Sequence, residues 1–78
     1  MNANAVVSQD IVTFIAEGVG RFNSVFEAMQ KVSADLGERL DSLRAAGIRP
    51  VVSSISHSSG YDGHNYFASL VAVLDLHR

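Results

Sequence analysis

Apolar positions along the chain follow two periods, and the switch between them divides the molecule. Val25, Met29, Val32, Leu36, Leu40 and Leu43 recur in steps of three and four, which places them on one face of a helix. Ser24-Val25-Phe26-Glu27 fits a capping box. In that motif the Ser24 hydroxyl accepts from the Glu27 amide and the Glu27 carboxylate reaches back to the Ser24 amide. Glu27 with Lys31 and Asp35 with Arg39 stand four residues apart, acid before base, on the outer side. The stop is equally marked. Gly47 suits the left-handed position after the last turn, Ile48 can then touch Leu43 as in a Schellman motif, and Pro50 bars continuation. The spacing therefore predicts a helix over 25–46. Gly37 inside it costs about 1 kcal/mol relative to Ala, either as a tolerated loss or because a neighbouring backbone comes close.

Beyond Pro50 the period becomes two. Asp62-Gly63 is a signal for a two-residue type I′ hairpin turn, and it predicts arms at 49–61 and 64–76. With that tip, Tyr61 faces His64, Ser59 faces Tyr66, His57 faces Ala68, Ile55 faces Leu70, Ser53 faces Ala72 and Val51 faces Leu74. This mostly apolar face is expected to receive the helix. The opposite face pairs Val52 with Val73, Ser54 with Val71, Ser56 with Ser69 and Ser58 with Phe67. It is too apolar for water alone and too polar for a simple core. Val52, Phe67, Val71 and Val73 are therefore expected to meet another subunit.

The N-terminal part reads two ways. Residues 10–16, DIVTFIA, are rich in β-branched and aromatic types, which favours a strand. Ile11, Ile15, Gly18 and Phe22 also extend the helical stripe backward. A single helix over 9–46 would have to absorb Gly18 and Gly20 at about 2 kcal/mol, and it would waste the cap at Ser24. The expected fold is a small α+β domain, β-α-β-β, with one amphipathic helix packed on a long C-terminal hairpin. The alternative is α-α-β-β. All of 1–78 is read as one domain, with 1–5 expected to be disordered.

Composition adds one point. In 78 residues, 47% are hydrophobic and only 18% charged, against about 25% charged in typical soluble domains. A domain this small buries only about 60% of its unfolded surface, so a surface poor in charge points to another chain covering part of it. A dimer or higher homo-oligomer is expected, with another protein as a further partner. The net charge is −2 without a basic run, which argues against nucleic acid. The start of the chain has no basic leader and no apolar run long enough to span a bilayer, so no membrane partner is expected. The absence of cysteine excludes disulfides and thiolate metal sites, and fits a reducing, cytoplasmic setting.

Candidate chemistry is concentrated in HSSGYDGHNY, residues 57–66. His57, Asp62 and His64 are metal-ligand types. An Asp62-Gly63 turn, however, sets the two histidines about 10 Å or more apart along the hairpin. Ser56 and Ser58 point to the face opposite His57, which prevents a catalytic triad. Gly18-Val19-Gly20 lacks the glycine pattern and lysine of a phosphate loop. No catalytic residue, cofactor or metal is expected. Tyr61, Asp62, His64 and Tyr66 at the tip suit contact with a partner, since tyrosine and histidine combine apolar area with a polar handle.

A strand (DIVTFIA), a helix after Ser24 and two arms around Asp62-Gly63 resemble, in element order over residues 10–76, the dodecins. These are small proteins that assemble into hollow shells and bind flavins. The resemblance implies an oligomer with a ligand site. Dodecins stack flavin on a tryptophan early in the second strand; here that region reads IRPVVSS and the chain has no tryptophan, so flavin does not carry over. The leading expectation is a non-enzymatic, self-associating interaction protein, of the accessory or inhibitor kind. The alternative is a dodecin-like oligomer binding a small ligand. A metal-dependent enzyme comes third.

Overall fold

The computed structural model describes residues 9–77; the expected disorder at 1–5 lies outside them. The elements are strand β1 (Gln9–Val19), helix α1 (Val25–Ala45), strand β2 (Arg49–Tyr61) and strand β3 (Tyr66–His77). The strands form one antiparallel sheet in the order β1-β3-β2, so β3 is central and β1 and β2 are its edges. The N-terminal segment is thus a strand, and the α-α-β-β alternative is replaced. The capped start at Ser24 and the glycines before it separate β1 from α1 instead of fusing them.

The helix begins and ends where its cap residues dictate. The Ser24 hydroxyl accepts from the Glu27 amide at 3.1 Å. The Glu27 carboxylate reaches back one residue further than expected, accepting from the Asn23 amide at 3.2 Å. At the other end, Gly47 N–H donates to the Arg44 carbonyl and Ile48 N–H to the Leu43 carbonyl, both at 3.0 Å. With Gly47 at φ +83°, this is the full Schellman pattern. The ion pairs differ from expectation: Lys31 meets Asp35, and Arg44 meets Asp41.

One face of the sheet carries the core. Ala28, Val32, Leu36 and Leu43 of α1 pack on Ala16 of β1 and on Ala68, Leu70, Ala72, Leu74 and Leu76 of β3. These β3 residues alternate, as a strand with one covered face requires. Small residues let the layers approach. A methyl group built on Gly18 would stand 3.1 Å from the Ala28 carbonyl oxygen and 3.4 Å from Val32. The close backbone approach is therefore at Gly18. Nothing lies within 4 Å of the same position on Gly37, so Gly37 is a tolerated loss.

The hairpin register differs from the expected one. Tyr61 pairs with Tyr66, His57 with Leu70 and Ile55 with Ala72. The turn therefore spans residues 62–65, not Asp62-Gly63 alone. A type I′ hairpin turn has two central residues, whereas here four residues separate Tyr61 from Tyr66, with Gly63 at φ +97°. The slip is two residues, so the faces of 54–61 are preserved. A bulge at Ser53 then shifts the register by one, and Val52 pairs with Leu74 while Val51 pairs with Asp75. A one-residue shift exchanges faces. Val52 therefore lies on the helix side, and Val51 takes the outer side expected for Val52.

Candidate functional site

Two features collect the residues of interest: the hairpin tip and the outer face of the sheet. The tip is held by one side chain. Asp62 Oδ1 accepts from the backbone amides of His64 and Asn65, both at 2.8 Å, and Asp62 N–H donates to the Asn65 carbonyl at 3.1 Å. Asparagine and aspartate close turns in this way because their short acceptors reach amides two and three residues on. The amides of Asn65 and then His64 hold the Asp62 carboxyl below its ordinary value of 3.8. In the orientation that satisfies both ends of its amide, the Asn65 side chain donates to the Gly20 carbonyl at 3.2 Å. This ties the tip to the loop after β1.

Tyr61 and Tyr66 are directly opposite, their ring centroids 4.8 Å apart and tilted by 44°. Tyr61, Asp62 and His64 are exposed and Tyr66 is half-buried. The structure thus brings Tyr61 and Tyr66 into contact, with Asp62 and His64 in the turn beyond them. His57 is four rungs below this pair, about 13 Å along the strand. Among the described residues no group of three or more His, Asp or Glu side chains is placed to hold a metal ion.

On the outer face, five cross-strand rows run from Asp75 to Phe67 of β3. In order they are Ile11–Asp75–Val51, Thr13–Val73–Ser54, Ile15–Val71–Ser56, Glu17–Ser69–Ser58 and Val19–Phe67–Gly60. Over β1 and β3 the face carries Ile11, Ile15, Val19, Phe67, Val71 and Val73 interspersed with Thr13, Glu17, Ser69 and Asp75, and over β2 it is lined with hydroxyls. No described element covers it: Val19 is 76% exposed, Ile11 70%, Ile15 63% and Val51 46%. Phe67 is half-buried because its ring lies over Gly60, 3.1 Å from where a methyl group there would stand. Of the residues expected to meet another subunit, Phe67, Val71 and Val73 are on this face, and Val52 is not.

Sequence reasoning missed the largest contributors, Ile11, Ile15 and Val19. Their signal is that β1 carries aliphatic residues at the odd positions 11, 15 and 19 as well as Val12, Phe14, Ala16 and Gly18 at the even positions that face the helix. An open groove of about 410 Å³ also runs between β1 and α1, lined by Phe14, Glu17, Asp35, Glu38, Arg39 and Ser42 among others.

No protein-family model matches the chain, and no curated protein or solved structure is found to be similar to it. No helix among the described residues is long and apolar enough to cross a membrane.

Proposed function

We propose that this chain is a non-enzymatic, self-associating binding protein. Its outer sheet face packs on further copies, and its hairpin tip contacts another protein. The observation that carries the reading is the uncovered apolar surface of Ile11, Ile15, Val19, Val51 and Val71, each more than a third exposed. Large apolar side chains exposed together on one face mark interaction surfaces in soluble proteins. The tip supports the second half of the reading. It is preorganised by Asp62, so the paired rings of Tyr61 and Tyr66 are presented with little entropy left to lose on contact.

Native mass spectrometry at micromolar concentration tests this. Self-association gives subunit multiples that shift toward smaller species in Ile15→Lys. A wild-type spectrum of single chains alone would refute it. The same spectra test a second reading, a small-ligand-binding oligomer, favoured by the open groove between β1 and α1. That reading predicts a bound small molecule of constant mass on each assembly.

A further inference from the structure

The two edges of the sheet differ, and the difference selects a partner. The β1 edge carries Asp10 and Glu17, whereas β2 has no Asp, Glu, Lys or Arg from Pro50 to Tyr61. Val51 through Ser59 are all exposed, and no other described strand pairs with the free side of β2. Soluble proteins guard such edges with lysine, proline, inward charges or bulges. In β2 the proline and the bulge are both near one end, at Pro50 and Ser53. Beyond them Ser54–Gly60 runs in unbroken register against Val73–Phe67, an unguarded backbone template.

We propose that a second copy of this chain pairs with that edge, β2 against β2, antiparallel about a two-fold axis at His57. The proposal rests on the self-association reading and specifies its geometry. Centred on His57, the regular run is used from end to end: Ser54 faces the partner's Gly60, Ile55 the partner's Ser59 and Ser56 the partner's Ser58. Small hydroxyls meet small groups and no fixed charge meets its like. An antiparallel seam of two β1 strands would instead bring the charged Glu17 of both copies to the junction, and charged side chains are a guard against edge pairing.

A two-fold axis normal to the sheet keeps both helices on one side of a six-stranded sheet. Ile55, His57 and Ser59 lie on the helix side of β2 yet are exposed, Ile55 by 51%. In the pair they form the floor between the two helices. The seam alone is at the small end of stable interfaces. It also sets two outer faces side by side in one wider surface, with serines along the seam and aliphatic side chains toward both flanks, on which further copies pack.

Single substitutions separate the seam from the outer face. His57 is exposed, so His57→Lys leaves the monomer fold intact and puts two fixed charges opposite each other at the axis. It is expected to weaken the dimer at least about tenfold by sedimentation equilibrium. Because the chain has no cysteine, His57→Cys should form a disulfide-linked dimer under mild oxidation, whereas Glu38→Cys on the exposed side of α1 should not. Ile15→Lys should remove species larger than the dimer and keep the dimer. Undiminished dimerisation of His57→Lys, or no cross-link through His57→Cys, overturns the seam. If in that case Ile15→Lys alone dissociates the protein, self-association stands and the outer face carries it. A monomeric wild type overturns both.

Discussion

The central strand carries large apolar side chains on both faces, in very different environments. Leu70, Leu74 and Leu76 point to the helix and are at most 8% exposed, while Val71 on the other face is 37% exposed. β1 repeats the contrast more sharply, with Ala16 at 5% and Ile15 at 63%. One helix can cover only one face of a sheet. The described residues supply a single helix, so the aliphatic side chains of the other face stay exposed, and exposed apolar area costs roughly 25 cal/mol per Å². The unmatched face is where the function is sought.

The comparison breaks most readily at the core. Leu74→Ala empties a fully buried site and is expected to cost about 2–5 kcal/mol in urea unfolding, most of the stability of so small a domain. Val71→Ala on the outer face should cost under about 1 kcal/mol in the monomer; equal losses would mean the two faces are equally buried in solution. Gly18→Ala is next. Its methyl would press on the Ala28 carbonyl at 3.1 Å, and prising the helix from the sheet should cost about 1–3 kcal/mol.

How much of this was legible in the chain follows from what each signal encodes. The helix ends were readable because Ser24 and Gly47 act locally, through hydrogen bonds three to five residues long. The faces of 54–61 survived a wrong turn because a slip of two residues preserves alternation. The bulge did not show: Val51-Val52-Ser53-Ser54 has no glycine or other mark at the extra residue, and it sent Val52 to the helix side. The four-residue turn was hidden by Asp62, whose carboxylate replaces a backbone acceptor. The outer face of β1 was half visible, as a strand apolar on both sides, but its three exposed aliphatics become a surface only once β1 lies beside β3.

Smaller effects sharpen the contrast. Ile15→Lys should leave urea unfolding of the monomer nearly unchanged while weakening association beyond the dimer at least tenfold, about 1.4 kcal/mol. Gly37→Ala has open space around the new methyl and should stabilise the helix by about 0.5–1 kcal/mol, the opposite sign to Gly18→Ala.

The smallest effect is at the tip. The folded-state value of Asp62 is depressed, so its contribution is complete above the ordinary value of 3.8 and lost as pH falls through the lower folded value. Asp62→Asn should therefore speed amide exchange at His64 and Asn65 relative to wild type at neutral pH. The difference should vanish below that folded value.

The most direct test of the central claim is sedimentation equilibrium of the wild-type chain across micromolar concentrations, with Ile15→Lys alongside. Self-association predicts a wild-type mass above that of one chain, rising with concentration, and a lower mass for Ile15→Lys wherever the wild type exceeds the dimer. A wild-type mass of one chain throughout would contradict it.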